Sequence, residues 1–196
     1  MSSPQFILGF DLGTTNSVLA YAPLDAEHSA HQPTVAILPL PQLVAAGTVE
    51  ARTMLPSFTY LANPSETGGG ALDLPWAAGR DYAVGDYARR QGAEVPDRTV
   101  GAAKSWLAYS KVDRHQPILP WGAGETVAKI SPVTASQHYL EHMVAAWEQS
   151  HPEAPVAEQI VVLTVPASFD AAARDLTREA ALAAGLPQDF VLLEEP

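Results

Sequence analysis

"QIVVLTVPASFDAAARDLTREAALAAGLPQDFVLL", residues 159 to 193, reads as strand, helix and strand in succession. Five of the six residues from Ile160 to Val165 are apolar, the continuous pattern of a covered strand, and Pro166 ends it. Asp170 is placed to cap a helix running through Ala184, with Ala172, Leu176, Ala180, Ala183 and Ala184 on one face. Gly185 at the C′ position and Pro187 just beyond stop that helix. Phe190 to Leu193 then forms a last strand of buried character, leading into Glu194, Glu195 and Pro196.

Upstream, Tyr139, Leu140, Met143, Val144 and Trp147 recur at helical spacing and predict a helix over 134–149. A further helix is expected over Thr99 to Tyr109. Residues 6 to 12 (FILGFDL) and 17 to 21 (SVLAY) read as two strands around a short Gly-Thr-Thr turn. Short strand candidates follow at Thr34 to Leu38, Leu43 to Ala46 and Ser57 to Leu61. The stretch "NPSETGGGALDLPWAAGRD", 63 to 81, is read as an exposed excursion, since Pro, Ser and consecutive glycines supply turns. No Lys-Ser/Thr follows it, so it is read as a loop and not as a phosphate-binding glycine loop. Strands in alternation with helices give an α/β layered fold, and no internal repeat is present.

The chain has 196 residues, 47% of them hydrophobic, enough for one large domain or two small lobes with a proper core. Eleven Lys and Arg against 22 Asp and Glu leave a net charge of −11, which disfavours nucleic acid or an anionic membrane as partner. Without cysteine there is no disulfide and no thiolate chemistry. The N-terminus lacks the basic and long apolar regions of a secretory signal, and the apolar runs are too short to span a bilayer. A soluble, cytoplasmic protein is expected.

The chemistry concentrates in "FDLGTTNS", residues 10 to 17. Asp11 closes an apolar strand, and an ionised carboxylate there is costly unless something pairs with it. A hydrated Mg²⁺ held by one carboxylate and substrate phosphates meets that need. Gly13 lets the backbone approach an anion, and the consecutive amides of Thr14, Thr15 and Asn16 offer an anion-binding concavity. The competing reading is a plain hairpin turn, with Asp11 and Asn16 bonded to the local backbone.

"GFDLGTTNSVLAY" resembles the first phosphate motif of the actin-like ATPase superfamily, which includes sugar kinases, actins and 70-kDa heat-shock chaperones. Further stretches resemble the chaperones, in the right order. "RTMLPSFTYL" (52 to 61) is similar to their R-T-x-P-S strand with one extra residue, and "VGDYARRQ" (84 to 91) to V-G-x-x-A-K-x-Q. "VVLTVPASFDAAARDLTREAALAAGL" (161 to 186) resembles V-I-T-V-P-A-Y-F-x-x-x-Q-R-x-A-T-x-x-A-x-x-x-A-G-L, and "EEP" the N-E-P that follows. The resemblance implies the first lobe of a DnaK-like, ribonuclease H-like ATPase domain: a mixed sheet with flanking helices plus an inserted smaller α/β subdomain. The core is expected over residues 1–51 and 125–196, and the insertion, with the glycine stretch and Arg89, over 52–124.

The same resemblance implies ATP or ADP and Mg²⁺ as ligands, and client polypeptides and co-chaperones as partners. Asp11 is then the metal carboxylate, acting through water. Gly13, Thr14, Thr15 and Asn16 hold the β- and γ-phosphates, and Glu195 is a second carboxylate near the metal. Pro166 and Arg174 match positions that couple nucleotide state to substrate binding. Read from the residues alone, Pro166 simply ends a strand and Arg174 is a solvated helix residue. Arg89 stands where the motif has a lysine that positions the attacking water. Arginine is longer, planar and directional, so slow or absent hydrolysis is expected. Ser168 in place of the family's Tyr is a second departure. The family's second phosphate motif, D-L-G-G-G-T, and its adenosine pocket lie beyond the N-E-P position. These 196 residues are therefore expected not to hydrolyse ATP and to bind it weakly.

Two rival functions share the first motif: a sugar or acetate kinase of the same superfamily, and a nucleotide-sensing scaffold without turnover. A third feature, "HYLEH" at 138 to 142, fits the H-x-x-E-H zinc-peptidase pattern, with His138, Glu141 and His142 on one side of the helix. No third ligand is evident, and the same spacing describes the solvated side of an amphipathic helix, which is the expectation adopted.

Overall fold

The computed structural model describes residues 3–24, 34–66 and 69–195; Thr67 and Gly68 of the glycine stretch and the final Pro196 lie outside the described residues. The strands are β1 (Phe6–Asp11), β2 (Asn16–Pro23), β3 (Ala36–Ile37), β4 (Leu40–Ala45), β5 (Thr48–Arg52), β6 (Leu55–Pro56), β7 (Phe58–Leu61), β8 (Tyr82–Val84), β9 (Thr99–Gly101), β10 (Ile160–Pro166) and β11 (Val191–Glu195). The helices are α1 (Asp86–Glu94), α2 (Ala103–Leu107), α3 (Pro132–Ser150) and α4 (Ala171–Ala183).

The main sheet runs β11-β10-β1-β2-β3, with β6 added beside β2. The β1–β2 and β2–β3 pairs are antiparallel, whereas β10 lies parallel to both β1 and β11, so the sheet is mixed and the fold is α/β. One face is closed by α3 and α4. Leu8, Phe10, Leu163 and Val165 from the strands join Leu140, Met143 and Trp147 of α3 and Leu176 and Ala180 of α4 in one core. Full burial of side chains of this size contributes about 1.5–3 kcal/mol each. At the rim Trp147 stacks on His151 at 3.8 Å and meets the edges of Phe6 and Tyr21 at 5.2 and 5.3 Å. Its indole N–H is satisfied by the Ala154 carbonyl at 2.7 Å.

On the opposite face Ile7, Ile37, Ile160, Val191 and Leu193 are exposed, and α2 reaches only its end, through Lys104 at Glu195. The last strand therefore differs from expectation. It extends to Glu195 and lies at an open edge, with Val191 and Leu193 about half exposed. Its apolar composition belongs to a strand whose second face is uncovered in this chain.

The capping of α4 is as predicted: the Asp170 carboxylate accepts the Ala173 amide at 2.8 Å, and Gly185 has φ +95°. Its buried face is rotated by one residue, however. Ala173, Leu176, Thr177, Ala180 and Ala181 are inside, while Ala172 and Ala183 are exposed. In an alanine-rich helix the face is set by Leu176 and by Thr177, whose hydroxyl is silenced by the Ala173 carbonyl at 2.8 Å.

A smaller antiparallel sheet, β8-β7-β9, packs with α1. Its apolar cluster contains Leu43, Tyr60, Ala62, Ala83 and Ala88, and also Leu72 and Leu74. The described part of 63–81 is largely exposed and turn-rich, as expected, but Leu72 and Leu74 among its turns anchor it to this cluster. The helix expected over Thr99 to Tyr109 is also corrected. Thr99–Gly101 pairs with β7, Ala102 turns left-handed at φ +53°, and only Ala103–Leu107 is helical.

A separate hairpin, β4–β5, meets the start of α1 and the 53–56 segment through Gln42 of β4, which is fully buried. Its side-chain amide donates to the Met54 carbonyl, and its side-chain oxygen accepts the Asp86 amide, both at 2.9 Å. Gly85, at φ +94°, leaves no room for a Cβ beside that oxygen, so the approach requires glycine.

Candidate functional site

The carboxyl ends of the parallel strands β1, β10 and β11 define the site, the place where open α/β sheets present ligands. Asp11 is paired in register with Thr164, and Pro166 with Glu195, so by strand alternation Asp11, Thr164, Pro166 and Glu195 share one face. The Thr164 hydroxyl donates to Asp11 Oδ1 at 3.2 Å. Asp11 is exposed, because that face is uncovered. The burial penalty expected for its charge is therefore absent.

The turn from Leu12 to Thr15 is fixed from outside. Ser57 donates its hydroxyl to the Gly13 carbonyl at 2.7 Å, gives its amide to the Thr15 carbonyl at 2.9 Å and meets the Ser17 hydroxyl at 3.0 Å. A Cβ on Gly13 would collide with the Asn16 carbonyl, so the tight path accepts only glycine. Thr14 and Thr15 are exposed, and among the described residues neither amide meets a protein acceptor. Two free amides and two hydroxyls at the mouth of a rigid turn form a polar concavity of the kind that takes an anion.

Two ion pairs flank this end of the sheet on consecutive residues. Lys104 of α2 is buried and contacts Glu195 Oε1 at 2.5 Å. Arg174 of α4 bonds Glu194 Oε1 at 2.6 Å and also donates to the Phe169 carbonyl at 3.0 Å. Arg174 is thus tied to the strand end as well as to the helix cap, not simply solvated.

Arg89 is placed elsewhere. It pairs with Asp86 Oδ1 at 2.5 Å, while Arg90 takes Asp86 Oδ2 at 2.8 Å. Both arginines border a cavity of about 360 Å³ that Asn16 also lines. The cation brought to Glu195 is Lys104, a residue the motif reading passed over. Its signal in the sequence was a single lysine in the apolar run "GAAKSWLAY". Ser57 and Thr164 were likewise missed; Thr164 is the lone hydroxyl in the apolar strand IVVLTVP, while Ser57 shares its segment with Thr59 and Tyr60.

The His138–His142 side of α3 is not solvated. His142 is buried: its Nε2–H donates to the Pro41 carbonyl at 2.9 Å, and Trp76 packs edge-on at 5.2 Å. His138 stacks on Tyr82 at 3.8 Å. Burial, assisted by repulsion from Arg80, lowers the pKa to about 4 at His138 and about 3 at His142. The helix is covered here by segment 76–82, so the spacing that looked like a polar face is an interior one. Among the described residues no three metal-ligating side chains converge. Nor is any helix of the described residues long and apolar enough to cross a membrane.

Comparison with known proteins bears on the whole chain. No family model matches it. Among curated proteins it is 30% identical to the "Chaperone protein HscA homolog" of Methylococcus capsulatus, over 98% of this chain and 27% of that one. The HscA homolog of Neisseria meningitidis serogroup B is 31% identical over 96% of this chain and 26% of its own length. "Heat shock 70 kDa protein BIP3" of Oryza sativa subsp. japonica is 31% identical over 64% of this chain and 22% of its own. The chain spans about a quarter of the length of the curated relatives it matches. With the phosphate-type hairpin, the V-P-A strand and the capped α4 in the order the motifs require, the chain belongs to the 70-kDa heat-shock protein family, as a divergent member.

Proposed function

We propose that the chain forms the phosphate-holding lobe of a chaperone ATPase domain of the actin-like, ribonuclease H-like type. The strand order β11-β10-β1-β2-β3, antiparallel at one end and parallel at the other, supports that assignment. We assign the core to residues 1–51 and 125–196 and the inserted subdomain to 52–124. The relatives carry chaperone names, which supports ATP or ADP as ligand, and client polypeptides and co-chaperones as partners of the whole protein.

The observation that carries the reading is the Gly13 turn, shaped so that only glycine fits and held so that the Thr14 and Thr15 amides stay free. Terminal phosphates sit on those amides and on the Thr hydroxyls, with Asn16 at the edge. Asp11 with neighbouring hydroxyls suits a hydrated Mg²⁺ completed by phosphate oxygens, not a cage of protein ligands. Bound there, Mg²⁺ would neutralise phosphate charge. Lys104, held by Glu195, is a second cation at the strand ends; with Arg89 in the lysine's place, slow or absent turnover of the whole protein remains part of the reading. Pro166 and Arg174 lie on the strand end and helix that adjoin Glu194 and Glu195, the natural route from site to partner domain.

One lobe supplies half a site, so this chain alone binds Mg·ATP weakly and releases no phosphate. Amide NMR during a Mg·ATP titration tests the reading. Shifts centred on Thr14, Thr15 and Asn16 that vanish in Gly13→Ala support it. Shifts confined elsewhere, or micromolar affinity by calorimetry, overturn it.

A further inference from the structure

A cleft of about 520 Å³ opens where β7, β8, α3 and the 126–130 segment converge, and none of the hairpin residues lines it. Leu61, Ala62 and Ile130 give it an apolar wall. Its charged lining is two cations, Arg98 and Lys129, and one carboxylate, Asp81. The cations are part-buried, whereas Asp81 is exposed. Among the described residues neither cation forms an ion pair. Arg98 donates one N–H to the Ala62 carbonyl at 3.3 Å, and the Lys129 ammonium meets no acceptor.

Part-buried cations beside apolar side chains, without a counter-charge, carry a desolvation cost that an anion offsets. The walls are fixed by backbone bonds. The Ala62 amide donates to the Asp81 carbonyl at 2.9 Å, and Ile130 exchanges bonds with Leu119 at 2.8 and 3.0 Å. His138, stacked on Tyr82 at 3.8 Å, also lines the cleft, and its buried Nδ1 has no hydrogen-bond partner among the described residues. Buried polar atoms are nearly always paired, so this orphan is a second sign that a ligand completes the cleft. Two positive charges against one negative leave a surplus of one. A dianion would meet Asp81 and leave the apolar wall unused; a monoanion with an apolar tail matches both.

We propose that this cleft binds an apolar organic monocarboxylate, its carboxylate on Arg98 and Lys129 and its hydrocarbon part on Leu61, Ala62 and Ile130. The uncharged His138 ring adds a polar wall without a further charge to desolvate. Asp81 repels a second negative charge and so selects for monoanions. No residue assigned to the nucleotide takes part. The site therefore stands whether or not Thr14 and Thr15 hold a phosphate.

Hexanoate titrated at constant ionic strength and pH 7, followed by the methyl resonances of Leu61 and Ile130 and the ring resonances of His138, tests the proposal. Saturable shifts at these three residues are expected. Hexanol, with the same tail and no charge, should bind about tenfold more weakly. Arg98→Met and Lys129→Met each weaken hexanoate about tenfold, the loss of one charge-assisted contact. Both leave hexanol unchanged, a split that mere damage to the fold does not produce. Asp81→Asn tightens hexanoate binding. The proposal is overturned if hexanol binds as tightly as hexanoate, or if inorganic phosphate displaces hexanoate at equal concentration. It is also overturned if norleucine, whose ammonium could pair with Asp81, binds more tightly than hexanoate, or if hexanoate gives no saturable shift at the three residues.

Discussion

Glu194 and Glu195 are neighbours on one strand, each closed by a cation from a different helix, yet the two pairs are physically unlike. Lys104 and Glu195 have side chains 8% and 29% exposed, whereas Arg174 and Glu194 are 28% and 57% exposed. The lysine ammonium has little water to fall back on, so it depends on its partner. The Glu194 carboxylate is well hydrated with or without Arg174. Adjacent acids in a sequence therefore carry different obligations, decided by which face of the strand each occupies and what lies over it.

Removing the partner of the buried ammonium is the sharpest way to break this contrast. Glu195→Gln should cost about 3 kcal/mol, the range for an uncompensated buried charge, read as a fall in the urea midpoint at pH 7. Lys104→Met, which keeps the stem and leaves a carboxylate that can turn to water, should cost less. An equal or larger loss for Lys104→Met would mean that Glu195, not Lys104, is the group the fold shelters.

A second test uses burial without a salt bridge. His138 and His142 have folded-state pKa values lowered to about 4 and about 3 by burial. The unfolded chain, with histidine near pH 6.5, binds protons that the folded chain refuses. Their contribution is therefore complete above about pH 6.5 and is lost as pH falls toward 4 and 3. His142 alone should withdraw about 2 kcal/mol by pH 5. Urea titrations from pH 8 to 5 on wild type and His142→Gln check this: the variant should be weaker at pH 7 but flatter with pH. A parallel pair of curves would place the acid sensitivity elsewhere.

These histidines also mark where the sequence stopped being legible. The βαβ stretch, the α4 cap and the 10–17 hairpin were readable because their signals are local: apolar runs, an Asp before a helix, a Gly between a carboxylate and two threonines. The face of α3 was not, because segment 76–82 comes from about sixty residues upstream to cover it. Within the site, Asp11, Gly13, Thr14 and Thr15 could be named from the hairpin itself. Lys104 could not, since its meaning depends on Glu195, which is 91 residues away. Arg89 looked functional by its motif, but it is ion-paired with Asp86, three residues back on the same helix. Asp170→Ala, a purely local contact, should cost about 1 kcal/mol in thermal or urea melts.

The smallest expected effect falls on the other half of the comparison. Glu194→Gln should change stability by no more than about 0.5 kcal/mol, because an exposed carboxylate exchanges a guanidinium for water at little net cost. Added salt should diminish that difference, since screening acts on solvent-exposed pairs, whereas the Glu195→Gln penalty should persist in salt. Arg174 keeps its bond to the Phe169 carbonyl in the variant, so the α4 junction remains tied while its link to β11 is cut. Double-mutant cycles on Arg174–Glu194 and Lys104–Glu195, run at low and high salt, separate the two pairs. A salt-insensitive coupling above about 1 kcal/mol for Arg174–Glu194 would show that this pair, too, is held as a fixed strut between helix and strand.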